Sequence, residues 1–195
     1  VKRTHRVFFA SLLAGLLVLT TGCATVVDSV NEDPIQQDPT ERSWGNWLDD
    51  QTIETVAEVN INKSSDEFRR NSRIKVISFN GIVLIIGQVP NQSMKDEATR
   101  IVTPIQNVRK VYNELTIGPR ASVMEHSSDA WLTTKIKTKL IQDEIVSADK
   151  IKVNTEKGTV FLMGLATPKE ASNAVEAARN TRGVQKVVKI FEYVR

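Results

Sequence analysis

The chain is poor in the residues that most enzymes and metal proteins depend on: it has one cysteine and two histidines in 195 residues. Cys23, being alone, cannot form an intramolecular disulfide. His5 lies in the N-terminal segment, which leaves only His126 beyond it. Counting therefore excludes a Cys/His nucleophile, a Cys/His zinc site and a His-based facial triad. Gly81, Gly87, Gly158 and Gly164 fall in hairpin turns or at strand ends, not in a Gly-rich loop opening a helix, so no phosphate cradle is expected. The carboxylate pairs Asp66-Glu67 and Asp143-Glu144 each follow a helix in a polar loop and read as solvated turn residues, not as acid/base pairs. The basic residues lack the aromatic interleaving of a single-strand binder, so nucleic acid is not an expected partner. The reading is non-enzymatic, with no catalytic residue, no metal and no cofactor assigned.

Long apolar runs are equally scarce. Residues 7–19 follow Lys2, Arg3 and Arg6 and end at Thr20-Thr21-Gly22-Cys23. The run is short for a membrane span and has the flanks of a secretory signal, assigned to residues 1–22. Gly before Cys at this point resembles a lipobox, although Thr20 stands where that pattern usually has Leu. The resemblance makes Cys23 the candidate lipidation site. Ala24, a residue other than Asp, then implies sorting to the outer membrane. Without Lys2, Arg3 and Arg6 the remaining chain is formally neutral, with 23 basic and 23 acidic residues. That neutrality conceals an asymmetry: from His126 onward there are 12 Lys+Arg against 8 Asp+Glu, whereas residues 23–125 carry 11 against 15. The C-terminal half is the one suited to an anionic surface.

Residues 23–47 read as the lipidated terminus and an extended tether with Pro34 and Pro39. The aromatic stretch Ser43-Trp44-Gly45-Asn46-Trp47-Leu48 is expected to pack back onto the first domain. Asp49 and Asp50 are expected to start a helix whose buried stripe is Ile53, Ala57 and Ile61. Strands at 74–78 and 82–86 flank the hairpin turn Asn80-Gly81. A helix at about 93–102 and a strand at about 108–117 complete an α-β-β-α-β unit, placed at 48–118 and followed by a linker at 119–126.

The second unit, 127–195, repeats the first. Ile74-Lys75-Val76, Gly81, Val83 and Gly87 reappear as Ile151-Lys152-Val153, Gly158, Val160 and Gly164 at a constant offset of 77 residues. After a one-residue deletion, Ala98 and Val108 correspond to Ala174 and Val184. This is an internal duplication. Its first helix is predicted to begin near Asp129, after the capping residues Ser127 and Ser128, with Leu132, Ile136 and Leu140 on the core stripe. At about 100° per residue, Trp131 and Ile141 each lie about 140° from the centre of that stripe, on the face a soluble helix gives to polar residues. Lys135, Lys137 and Lys139 flank them, a pattern suited to an anionic membrane surface. The corresponding positions of the first copy, Thr52, Val56, Glu58, Asn60 and Asn62, lack this character, while its core positions Ile53, Ala57 and Ile61 keep theirs.

The twin units, each with Ile-Lys-Val, a turn glycine, an apolar strand ending in glycine and a later Val before the last strand, resemble BON domains. Together with the lipobox and Trp131-Leu132-Thr133-Thr134-Lys135, the chain resembles dual BON-domain outer-membrane lipoproteins. The resemblance implies an α+β fold in which each unit is a small three-stranded mixed sheet packed by two helices. It further implies a lipid-anchored protein with its domains in the periplasm that binds anionic phospholipid, notably phosphatidylglycerol, through the first helix of the second domain. Such proteins accumulate at division sites, support outer-membrane integrity and associate with the outer-membrane protein assembly machinery. Carried onto this chain, the membrane-facing set is Trp131, Lys135, Thr138 and Ile141, with Leu132, Thr134, Lys137 and Lys139 as secondary members. The expected state is a monomer with its two domains packed together. A protein-binding adaptor or chaperone-like module using the same Trp face remains the alternative.

Overall fold

In the computed structural model, residues 42–194 are described; the signal segment, Cys23 and nearly all of the tether lie outside them. Helix α1 (Trp44–Ser64) is capped by the Ser43 hydroxyl, which accepts from Asn46 N, and a short α2 (Asp66–Asn71) follows. Strands β1 (Arg73–Phe79) and β2 (Ile82–Val89) form a hairpin whose turn residues Asn80 and Gly81 have φ of +52° and +72°, the geometry that favours Asn-Gly. Helix α3 (Gln92–Val102) leads to β3 (Lys110–Asn113) and β4 (Thr116–Ile117). The order then repeats as α4 (Val123–Gln142), a 3-10 turn (Ala148–Lys150), β5 (Ile151–Glu156), β6 (Thr159–Ala166), α5 (Pro168–Arg179) and β7 (Lys186–Tyr193).

Each repeat has one mixed sheet with its second strand in the middle. β2 runs antiparallel to β1 and parallel to β3 and β4, and β6 runs antiparallel to β5 and parallel to β7. The expected α+β architecture of tandem three-stranded mixed sheets with packed helices is what the chain adopts, with one local difference. The single strand expected at 108–117 is broken into β3 and β4. Between them Asn113 turns its amide onto Lys95 O (2.6 Å) and Thr99 Oγ1 (2.7 Å), and Leu115 turns into the core.

Strand alternation divides each sheet between two cores. Val76, Val83, Ile85 and Val89 face α1 and α3 with Ile53, Ala57 and Ile61, and Val153, Val160 and Leu162 face α4 and α5 with Ile136 and Leu140. The opposite faces meet each other: Ile77, Phe79, Leu84 and Ile86 of the first repeat form one cluster with Phe161, Met163, Leu165 and Ile190 of the second. Polar contacts surround this shared core. Glu156 accepts from Arg73 (3.1 Å) and from the fully buried Gln88 amide (2.6 Å), while the Gln88 carbonyl oxygen accepts from Ala121 N (2.8 Å) in the connecting segment. Lys152 Nζ donates to Glu54 and Ser78 O (both 2.8 Å), and Glu192 receives Asn80 and Arg109.

Both first helices start earlier than the sequence suggested. Ser122 forms a capping box with Glu125, so α4 begins at Val123 inside the expected linker, and Ser127, Ser128 and Asp129 are interior helical residues. Asp129 instead accepts from Lys157 N (2.7 Å) and Gly158 N (2.9 Å), holding the β5–β6 turn. Asp50, its counterpart in the first repeat, is fully buried and accepts from Ser78 Oγ, Asn80 N (2.7 Å) and Gly81 N (2.9 Å). These aspartates fasten a helix to a hairpin in each copy. By residue type alone these aspartates read as helix caps, but the hairpin amides take their carboxylates.

Candidate membrane-facing site

The core stripe of α4 fixes what its other side presents. Leu132, Ile136 and Leu140 are buried, with Leu132 only 2% exposed and lying under Gly183, so Leu132 does not reach the surface where it had been placed as a secondary lipid contact. On the opposite side Trp131 is 56% and Ile141 74% exposed. Lys135 Nζ lies 4.6 Å from the centroid of the Trp131 ring, a cation–π contact that holds the ammonium beside the indole. Thr134 and Thr138 are exposed between them, and their hydroxyls bond back to Ala130 O and Thr134 O at 3.0 Å.

The lysines have different employment. Lys137 is exposed and close enough to Lys75 of β1 to affect it: burial outweighs the pull of Glu54 and, with a smaller push from Lys137, holds the Lys75 pKa below its ordinary value. Lys139 donates to Asn180 O (3.0 Å) and Ala177 O (3.4 Å) at the C-terminus of α5, where a cation satisfies the last carbonyls. The structure thus gathers Trp131, Thr134, Lys135, Thr138 and Ile141 on one surface with Lys137 at its edge, turns Lys139 toward α5 and buries Leu132.

Two residues of this face were missed. Val123 and Met124 are almost fully exposed in the first turn of α4, and at 100° per residue they fall on the same outer arc as Trp131 and Ile141. The signal for them was the spacing Ser122-Val123-Met124-Glu125, the Ser-x-x-Glu of a capping box. Ser122 N–H and its hydroxyl also keep the Glu125 carboxyl below the usual range. The extended helix of 20 residues is about 30 Å long at 1.5 Å per residue. No helix among the described residues is long and apolar enough to cross a membrane. Among the described residues no group of three or more His, Cys, Asp or Glu could hold a metal.

A pair of such units, each a helix-covered mixed sheet with a carboxylate clamp on its hairpin, defines a class. The BON domain family model matches residues 49–119 and 128–195, and the chain belongs to that family as a tandem BON-domain protein. It is 37% identical over 184 residues to outer membrane lipoprotein DolP of Haemophilus influenzae, an alignment covering 94% of this chain and 95% of that one. It is 40% identical over 154 residues to the 21 kDa hemolysin of Actinobacillus pleuropneumoniae (79% of each chain), and 28% identical over 186 residues to osmotically-inducible protein Y of Escherichia coli (91% and 92%). The DolP relationship makes this a dual BON-domain outer-membrane lipoprotein, lipid-anchored with its domains in the periplasm.

Proposed function

We propose that this protein is a non-enzymatic membrane-surface binder that engages anionic phospholipid, in the first place phosphatidylglycerol, through the outer face of α4. The observation that carries the reading is the uncovered strip Val123, Met124, Trp131 and Ile141 with Lys135 and Lys137 at its margins. Large apolar groups left contiguous on a surface mark a contact. Indole rings favour the headgroup level, and each lysine near an anionic leaflet contributes about 1 kcal/mol. The duplication supplies an internal contrast at the centre of this face, where α1 carries Thr52, Val56 and Glu58 at the positions of Trp131, Lys135 and Lys137, although Trp44 stands at the position of Val123. Cys23 would carry the acyl anchor, and a monomer whose domains share one core would present α4 to the membrane. Accumulation at division sites and support of outer-membrane integrity follow from the family resemblance and belong to the same proposal.

Vesicle flotation tests it, using the mature chain with Cys23→Ser so that no anchor contributes. Binding should rise with phosphatidylglycerol content, weaken with salt and fall at least about tenfold in Trp131→Glu, since an exposed indole exchanged for a carboxylate loses interfacial affinity and meets like charge. Equal binding to neutral and anionic vesicles would overturn the reading. Loss of capture by the outer-membrane protein assembly machinery in Trp131→Glu, with vesicle binding intact, would transfer the face to a protein partner.

A further inference from the structure

Three exposed apolar side chains at the start of α1 have no part in the reading above. Trp44 is 82% and Trp47 43% exposed, with exposed Leu48 beside them. At positions i, i+3 and i+4 they share one helix face. The sequence suggests that these rings pack onto the first domain; Trp47 is more than half covered, whereas Trp44 stays exposed and meets Trp47 edge to face, 6.0 Å between centroids. Trp44 and Trp47 line a cleft of about 520 Å³. Phe79 and Leu165 lie within this cleft, and Asp149 and Lys150, on the connection that leaves α4 beyond Ile141, also line it.

The chemistry of this patch differs from that of α4. Arg42, which lines the cleft, is committed to the buried Asp50 carboxylate and to the Phe79 ring, 4.9 Å from the centroid. Asp49, on the following turn, is exposed and negative. With Arg42 paired and Lys150 balanced by Asp149 and Asp49, the patch is amphipathic without net positive charge, so anionic lipid is not what it selects. Its place in the chain points to an occupant. Arg42 is 19 residues from Cys23, a distance that even a fully extended chain holds within about 65 Å. A short tether keeps its end at high effective concentration against the surface that holds the anchor. Trp44, Trp47 and Leu48 are thus the first exposed apolar group among the described residues after Cys23, and the amphipathic phase always within their reach is the bilayer itself.

We propose that Trp44, Trp47 and Leu48 form a second membrane contact, seated at the headgroup level of the anchoring bilayer and indifferent to lipid charge. The proposal rests on lipid anchoring and not on the anionic selectivity of α4. The protein would then hold the membrane in two ways, one helix reading charge and the other fixing how the first domain leaves its tether.

The chain has three tryptophans, so the two contacts can be read separately. Full-length lipidated protein is reconstituted in phosphatidylcholine vesicles containing a doxyl-labelled lipid. In Trp131→Phe the remaining emission comes from Trp44 and Trp47. It should be quenched by about half in these neutral vesicles, as expected for indoles at the interface, and should not recover in high salt. In the double variant Trp44→Phe/Trp47→Phe, emission from Trp131 should be quenched only when phosphatidylglycerol is added. Unquenched emission from anchored Trp131→Phe would overturn the second contact. Quenched Trp44 and Trp47 with Trp131 unquenched at any phosphatidylglycerol content would sustain it and overturn the α4 reading instead.

Discussion

Gly164 lies opposite Ile151 at the end of β6 with φ of +151°, and Gly87 lies opposite Ile74 in β2 with φ of +124°. A Cβ on Gly164 would sit 2.0 Å from Lys150 O, and one on Gly87 would sit 1.9 Å from Arg73 O. Neither neighbour can give way, since each is backbone entering an edge strand. Gly164→Ala should therefore cost more than the roughly 1–3 kcal/mol of backbone strain alone. Gly118 provides the comparison, because it also has φ of +151° but nothing within 4 Å of its missing Cβ. Urea denaturation should show Gly118→Ala losing only the strain and Gly164→Ala losing clearly more. Equal losses would mean that the close approach of the two strands is not what requires glycine. The recurrence of Gly81, Gly87, Gly158 and Gly164 was plain in the sequence, and so was their structural role.

At the scale of the element, the two boxed helices are fastened at their starts with different tightness. In α5, Thr167 and Glu170 cap each other, and Glu170 also accepts from Ser147 Oγ (2.6 Å) in the loop after α4. Burial opposes ionisation of Glu170, but the hydrogen bonds from Ser147 and Thr167 outweigh it and bring its pKa from 4.5 down to about 2. A carboxylate with a lowered folded-state pKa stabilises fully above its unfolded value and loses that contribution as pH falls through the folded one. The wild type should therefore lose this stability between about pH 4.5 and pH 2. Glu170→Gln should be less stable at neutral pH and show a flatter fall across that window in thermal melts; parallel profiles would refute the assignment. The start of α4 shows why local reading placed some boundaries wrongly. Ser122 and Asp129 are both acceptable caps by type. The choice was made by a tertiary partner, the Lys157-Gly158 turn, which takes the Asp129 carboxylate and leaves Ser122 to begin the helix. The core stripe Leu132, Ile136 and Leu140 was legible because it is periodic. Val123 and Met124 were not, because nothing periodic marks them as helical, and Lys139 could not be assigned without knowing that α5 ends beside it.

The whole molecule depends on what lies between its two copies. β2 and β6 carry unbroken apolar runs, Val83-Leu84-Ile85-Ile86 and Val160-Phe161-Leu162-Met163, the composition of central strands covered on both faces. The run cannot say what covers the second face. The structure answers that each sheet covers the other, through Leu84 and Ile86 against Phe161 and Met163. The domains therefore should not unfold independently, even though each has its own helix-facing core. Phe161 tests this because it is 3% exposed and belongs to the shared cluster alone. Truncating a buried Phe to Ala typically costs about 3–5 kcal/mol. If the shared core couples the domains, hydrogen exchange in Phe161→Ala should accelerate at the amides of Ile77 and Leu84 in the first domain as well as throughout β5 to β7. Ile136→Ala, placed in the core of the second domain only, should weaken the second domain first. Faster exchange confined to the second domain in both variants would show that the copies are joined by the polar contacts around Glu156 and Gln88 and not by the apolar faces. The orientation of α4 relative to the tether would then be set by a hinge instead of a common core.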